Sequence, residues 1–508
     1  MTDATNGNDA NPGPYAAVHE THAAVVIVLG DRVYKVKKPV DLGFLDYSTR
    51  EARQAICRRE VELNRRLAPD VYLGVADVYG VDGEPCDHLV VMRRMPDDRR
   101  LSTLVRSGVP VREDLRRLAR ILAAFHASAD RSPEISAEGS RDALRDRWVA
   151  SFDQVRSFHG TVLDPAEAEA VERLTLRFLA GREPLFAARI RDGHVLDGHG
   201  DLLADDIFCL DDGPRALDCL EFDDRLRWVD GLDDAAFLAM NLEHLGAPSL
   251  AEHFMGSYVE FAGDPAPPAL QHHYVAYRAF VRAKVACLRS AQGDHDAAGT
   301  ARELTRMTLR HLQAGAAALV LVGGLPGTGK TTLAGVLADR LGATLLSSDR
   351  VRKELAGLPP EQSAAAGYEE GIYRRDHTAR TYEELLERAE KLLGLGETVV
   401  IDASWTHREH RDHAADVAAR THSELIPLRC HLPTEAAAER LSSRARGPSD
   451  ADAAIAAAMA ETADPWPEAA VVDTGDRLEE SVERALAAVH PHVLGATWQA
   501  RRPQMPPD

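Results

Sequence analysis

Nothing in this 508-residue chain points to a membrane, a disulfide scaffold or a polyanion partner. Its six cysteines are scattered and no two form a CxxC pair, so neither a zinc site nor a disulfide framework is indicated. Free thiols in a reducing cytosol are the expectation. No apolar run is long enough to span a bilayer, and the opening "MTDATNGNDANPGP" has no apolar core of the kind a signal peptide needs. Positive charge is outnumbered: 60 Lys and Arg face 80 Asp and Glu, a net charge of −20. That argues against general binding to nucleic acid or anionic lipid. No internal repeat is visible. A hydrophobic share of 45% with 28% charged residues fits globular protein, and the length suggests several domains.

The strongest signal lies late in the chain. Gly324-Leu-Pro-Gly-Thr-Gly329-Lys330-Thr331 fits GxxxxGK[ST] in full. The apolar run "AALVLVGG" precedes it and the helical "TTLAGVLADRLG" follows, the strand-loop-helix context that a phosphate loop requires. Gly324, Gly327 and Gly329 let backbone amides close around phosphate oxygens at the positive end of a helix dipole, with Thr328 and Thr332 in the same loop and helix start. Lys330 is expected on the β- and γ-phosphates of ATP and the Thr331 hydroxyl on Mg²⁺.

Downstream, "TLLSSDRVRKEL" places Asp349 at a strand tip and Arg352 three residues on. "ETVVIDAS" ends a further strand in Asp402. "AAAERLSSRARGPSD" offers Arg440, Arg444 and Arg446. From Ala317 to Val489 this resembles small-molecule and polynucleotide kinases of the P-loop class. The resemblance implies that Asp349 orients or deprotonates an acceptor hydroxyl and Arg352 holds acceptor or phosphate. It also implies that Asp402 holds the metal through water or positions the acceptor, and that a lid arginine, Arg444 first, meets the transferring phosphoryl group.

Three hundred residues precede this unit. "AAVVIVLGDRVYKVKKP" reads as a hairpin with a Gly-Asp turn, and "STREARQAICRREVELNRRLAP" as an amphipathic helix. Mostly helical pattern follows, interrupted by "HGDLLADDIF" and "ALDCLEFDDRLRWVD". These two segments resemble the core of aminoglycoside phosphotransferases, which share the protein-kinase fold. The resemblance implies Asp201 as acceptor-orienting base and Asp218 as a Mg²⁺ ligand. Asp206 stands where the family has a metal-binding Asn, and Asp230 where a later Asp braces the loop. Glu221 and Asp223 lie close by. Lys35 would hold the α- and β-phosphates and pair with Glu60, with Lys37 on the same face as a rival. The strand around Met92 would be the hinge against which adenine packs. Gly30 is the only candidate for a phosphate-covering turn.

The expected architecture is therefore multidomain, α/β and α+β. Residues 1–14 are expected to be disordered, 15–97 to form a kinase-like N-lobe, 98–313 a helical C-lobe, 314–490 a P-loop kinase with a parallel sheet, and 491–508 a tail. The layout resembles a bacterial family in which an aminoglycoside-phosphotransferase-like domain is fused to a P-loop kinase. It implies an ATP- and Mg²⁺-dependent cytoplasmic phosphotransferase acting on a hydroxyl, or a P-loop kinase or ATPase regulated by a ligand-sensing kinase-like domain. The acidity favours a small-molecule acceptor over a nucleic-acid end. His272, His273, His407 and His410 read as surface histidines.

Overall fold

A computed structural model describes residues 15–443, apart from 22, 42, 44, 360, 361 and 363–369, and residues 453–493. The expectations for residues 1–14 and for Arg444 and Arg446 lie outside the described residues. The chain forms two compact units. One comprises Met1–Trp148, Ala188–Ala266 and Tyr277–Arg282, the other Val149–Ala187, Pro267–Ala276 and Ala283–Asp508. No described helix is long and apolar enough to cross a membrane.

In the first unit, β1 (Ala16–Glu20), β2 (Ala24–Leu29), β3 (Arg32–Lys37), β4 (Tyr72–Tyr79) and β5 (Pro85–Arg93) form an antiparallel sheet of order β1-β2-β3-β5-β4. The β2–β3 turn is the expected Gly30-Asp31 pair, with Leu29 opposite Arg32 and Gly30 at φ 60°. The helix Arg50–Asn64 starts where Thr49 accepts a hydrogen bond from the Ala52 amide at 3.1 Å. Its apolar side, with Cys57 and Val61, packs with Val71, Tyr72 and Val90, and Phe208 and Leu217 complete that core. Two short ribbons follow among helices: β6 (Val195–Asp197) with β9 (Trp228–Asp230), and β7 (Ile207–Leu210) with β8 (Gly213–Ala216).

The second unit is built on five parallel strands: β10 (Ala318–Gly323), β11 (Thr344–Ser347), β12 (Val399–Asp402), β13 (Glu424–His431) and β14 (Ala470–Asp473), in the order β11-β12-β10-β13-β14. Every residue of β10 is buried. Side chains of β10 alternate between two cores. Val320 and Val322 join Leu333, Leu337 and Val482 on one face, while Leu319 and Leu321 join Leu385, Leu393 and Trp405 on the other. A sheet covered on both faces reads as a continuous apolar run, which is why this strand was legible.

Contacts do not divide at residue 313. The helix Pro165–Ala180 and the helix Ala297–Ala314 belong with the parallel sheet. Arg182, 1% exposed, donates to the Thr421 carbonyl at 2.7 Å, and Arg177 donates to the carbonyls of His422 and Ser423 at 3.1 and 2.8 Å. These cations satisfy carbonyls in the turn that enters β13.

Within the first unit, buried Arg189 donates to both Asp230 oxygens at 2.7 Å and also pairs with buried Asp264. Removing the arginine would strand two carboxylates without a counter-charge. Arg189→Met should cost about 3–5 kcal/mol of that unit's stability. Thermal unfolding monitored by circular dichroism should show the first unit's transition falling by several degrees, and an unchanged profile would contradict the assignment.

Candidate active sites

On β3, Lys35 and Lys37 are two residues apart and so share a face. Lys35 Nζ lies 2.9 Å from Glu60 Oε1 and 2.7 Å from Asp218 Oδ1. Lys37 Nζ lies 2.7 Å from Glu60 Oε2 and 2.5 Å from Glu221 Oε1. The two lysines therefore share one fully buried carboxylate. Lys35 is the one that reaches Asp218, while Lys37 is buried deeper and lies 5.6 Å from the Tyr47 ring centre. Lys38 points elsewhere, to Glu20. Burial opposes the charge on Lys35, but Asp218, Glu60 and Glu221 outweigh it and hold the ammonium protonated well above the ordinary lysine range. Lys35 in turn holds Asp218 below the ordinary carboxylate range.

Asp218 sits in the left-handed region at φ 62°. For a non-glycine residue that conformation costs energy and needs outside support. Tyr72 Oη accepts from the Asp218 amide at 3.1 Å, and Asn64 Oδ1 accepts from the Cys219 amide at 2.8 Å. Asn64 lies one turn after Glu60, so a single helix face supplies both the counter-charge for the lysines and the brace for the Asp218 backbone. The sequence reading passed over both braces.

The His199-Gly200-Asp201 loop is braced by Asp234, not by Asp230 as expected. Asp234 accepts from the His199 amide at 2.7 Å and the Gly200 amide at 2.8 Å, and His126 Nε2 lies 2.9 Å away. Asp230 is committed to Arg189 and to capping the helix Gly231–His244 through the Leu232 amide. Gly200, at φ 86°, has Arg227 Cγ and the Leu226 carbonyl 3.1 Å from where a Cβ would stand, so the loop tolerates no side chain there.

Asp206 joins this group through the backbone. Its carbonyl accepts from the Leu217 amide at 2.9 Å, which sets it beside the residue preceding Asp218. Burial, then Asp218 and Asp201, push the Asp206 carboxyl up to about 8. Burial pushes Asp201 up to about 6, with Arg282 pulling the other way. Asp201 and Asp206 are thus both held above the ordinary carboxylate range, while Lys35 keeps the more exposed Asp218 below it. Among the described residues no group of three or more His, Cys, Asp or Glu side chains is arranged to hold a metal ion by itself. Met92 lies on β5 between Val33 and Tyr72, half-buried against the sheet core.

In the second unit, the loop after β10 carries Gly324, Gly327 and Gly329 at φ 145°, 83° and 79°. A Cβ on Gly327 would stand 2.7 Å from the Ala437 carbonyl, so that glycine is forced by close approach as well as by φ. Thr328 is buried, and its Oγ1 donates to the Leu325 carbonyl at 2.8 Å. Lys330 opens the helix Lys330–Leu341, followed by exposed Thr331 and Thr332. Arg440 donates to the Thr474 carbonyl at 2.9 Å, and its Nη1 lies 3.5 Å from where a Cβ on Gly329 would stand.

A cavity of about 510 Å³ opens beside this loop, and its lining includes Lys330, Asp349, Arg352, Tyr382, His407 and His410. Asp349 lies in the first turn of the helix Ser348–Leu355, two residues past the end of β11, and Arg352 one turn further. Buried Arg352 donates to the Ile372 carbonyl at 3.1 Å and Thr378 Oγ1 at 2.9 Å, with its guanidinium 5.0 Å from the Tyr373 ring centre. Asp402 is buried at the end of β12, in register with Val322 and Ser347. It does not line the cavity.

The histidines depart from the sequence expectation. His407 and His410 line the cavity, and burial holds His410 down at about 4. His273 is buried and stacked on Phe178 at 4.3 Å, and half-buried His272 faces His311 with Nδ1 atoms 2.9 Å apart. The apolar face of each surrounding helix comes from distant sequence, which a local reading does not reveal.

The raised Asp206 gives a pH test on the metal-free protein. Its folded-state value lies above the ordinary 3.8, so the folded chain keeps a proton that the unfolded chain has released. That proton costs nothing below about pH 4, and stability falls as pH rises from there toward 8. Asp206→Asn should therefore raise the first unit's melting temperature at pH 8 and lose the advantage toward pH 4. Equal melting shifts at both pH values would show that Asp206 is not held protonated.

Comparison with known proteins bears on both units. Residues 319–466 match the AAA domain family model. An uncharacterized protein of Mycobacterium tuberculosis strain H37Rv is 42% identical over 480 residues, covering 94% of this chain and 96% of the relative. A protein of Mycobacterium bovis matches to the same extent. Among solved structures, a choline/ethanolamine kinase family protein from Mesorhizobium loti covers 60% of this chain and 94% of its own, at 14% identity and a TM-score of 0.37. A sugar kinase from Janibacter sp. covers 35% and 96%, at 21% identity and a TM-score of 0.27. With a kinase-like Lys–Glu–Asp arrangement in one unit and a P-loop in the other, this chain belongs to the two-domain bacterial family that includes the uncharacterized M. tuberculosis protein.

Proposed function

We propose that the chain is an ATP-dependent phosphotransferase with two nucleotide sites, each moving a γ-phosphoryl group to a hydroxyl of a small molecule. The observation that carries this reading is the cavity of about 510 Å³ that has Lys330 of the phosphate loop, Asp349 and Arg352 together in its lining. A mechanical ATPase has no need of a ligand-sized chamber with a carboxylate opposite its phosphate lysine. The volume is that of a small-molecule pocket.

In the second unit, Lys330 and the loop amides would hold the β- and γ-phosphates. Asp349 would take the proton of the acceptor hydroxyl as that oxygen bonds to the γ-phosphorus and the bond to the β–γ bridging oxygen breaks. Arg352 would hold the acceptor, and the lid arginines, Arg444 among them, would meet the charge spreading over the transferring group. Thr331 and, through water, Asp402 are the residues to hold Mg²⁺, which would neutralise phosphate charge when bound. In the first unit, Lys35 would leave Asp218 to contact the α- and β-phosphates, Asp218 and Asp206 would share Mg²⁺, and Asp201 would receive the acceptor proton. Adenine would pack near Met92.

All six cysteines are free, which suits a reducing cytoplasm, and the net charge of −20 favours a small acceptor over a nucleic-acid end. A second reading keeps the first unit as a ligand sensor for the P-loop unit. It is favoured by Asp206 in the metal position and by the Lys35–Asp218 pair, which engages both phosphate-site groups with each other.

Calorimetric titration of MgATP into the full chain should show two sites. Lys330→Met should leave one, and Lys330→Met with Asp218→Asn should leave none. Transfer or hydrolysis attributable to the second unit should fall on the order of 100-fold in Lys330→Met. A single site in the parent chain, abolished by Lys330→Met alone, would overturn the two-site reading in favour of the sensor.

A further inference from the structure

One residue on the cavity wall has no part in the chemistry above, yet it connects the chamber to the phosphate loop. Tyr382 lies on the helix Arg375–Gly394 and is 4% exposed. Its hydroxyl is 3.1 Å from Ser404 Oγ and accepts from the Trp405 amide at 3.1 Å. Both partners lie in the turn that leaves β12. The carbonyl of Ser404 accepts from the amide of Gly324, the first glycine of the phosphate loop, at 3.1 Å.

That turn is under strain. Trp405 sits at φ 52°, a left-handed conformation that a bulky residue adopts only when its surroundings impose it. The imposing contacts are on the page. Trp405 is 1% exposed, its indole meets the Tyr382 ring edge-on at 5.1 Å, and its carbonyl accepts from Arg411 at 2.8 Å. His410 stacks on the Tyr382 ring, 3.9 Å away with the planes 5° apart. His410, Tyr382 and Ser404 all line the chamber that also holds Lys330. Burial keeps His410 neutral at physiological pH, so it acts as a flat apolar cover and not as a charge.

We propose that Tyr382 is a positioning residue, whose hydroxyl holds the strained Ser404–Trp405 turn so that the Ser404 carbonyl sets the entry of the phosphate loop. The same side chain meets the acceptor side of the chamber through His410, so what occupies the chamber and how the loop holds phosphate are read by one ring. This rests on nucleotide binding at the P-loop. It adds a residue that touches neither nucleotide nor reacting atoms.

The test uses the full chain in an Asp218→Asn background, so that only the P-loop site reports. Tyr382→Phe keeps the ring, its stacking on His410 and its packing on Trp405, and removes only the hydroxyl. Losing it leaves a buried amide without its acceptor. MgATP affinity by calorimetry should fall on the order of tenfold. Amide hydrogen exchange in peptides covering 323–330 should quicken, while peptides from the opposite-face helix Leu478–Val493 keep their rate. A purely structural role would lower the melting temperature and leave both the affinity of the folded protein and the loop's exchange untouched. That result overturns the proposal. If Tyr382→Phe does not fold, Ser404→Ala carries the same exchange measurement, and unchanged loop exchange there overturns it as well. Failure of the Asp218→Asn parent to bind MgATP would sink the nucleotide reading itself, a different outcome from a parent that binds and a variant that binds equally well.

Discussion

The first unit is organised around the burial of Glu60. A carboxylate with no exposed surface is tolerated only if cations come to it, because the desolvation penalty for an unpaired buried charge amounts to several kcal/mol. Two lysines on one face of β3 meet that demand, one on each carboxylate oxygen. The pairing ties the helix Arg50–Asn64 to the sheet. It also leaves each lysine with a second carboxylate, Asp218 or Glu221, from a segment more than 180 residues away in sequence. One buried charge thus brings together helix, sheet and the Asp218 segment. Removing either lysine would leave the buried Glu60 with a single cation.

The second unit solves the phosphate problem without such a balance. Its positive field comes from backbone amides at the start of a helix, with Lys330 added, and those amides carry no counter-charge of their own. What the loop needs is shape: glycines where neighbouring backbone comes within 3 Å, and fixed ends. One end is the buried β10. The other support is the turn after β12, whose strain at Trp405 is held by contacts from two helices, through Tyr382 and Arg411.

How much of this could be read from the sequence follows from the range of each interaction. The Gly30-Asp31 hairpin, the helix after Thr49 and the strand-loop-helix around Lys330 are local, and each carries its signal within about twenty residues. Asp201, Asp206 and Asp218 can be named together from the sequence because their motif is short and ordered. The assignment of the loop's brace to Asp230 in place of Asp234 failed because both are acids near one helix start. The choice between them depends on Arg189 and His126, which lie far away in sequence. The choice between Lys35 and Lys37 was undecidable from spacing, since both face Glu60. The cavity histidines were missed for a similar reason. A polar helix start looks the same in sequence whether it meets water or the Tyr382 ring.

The two units also differ in what a nucleotide must displace. In the first, Lys35 already has Asp218 as partner, so an incoming phosphate gains the lysine only by breaking an existing ion pair. On the proposed reading Asp218 and Asp206 would be the residues to hold Mg²⁺, whose charge would offset theirs. A cation that took Asp218 would thereby release Lys35 from it, so the two proposed binding events would be linked through one ion pair. In the second unit the loop amides are already aimed and no such exchange is needed. That difference is compatible with a second kinase and with a ligand sensor, because either reading would act on the same Lys35–Asp218 pair.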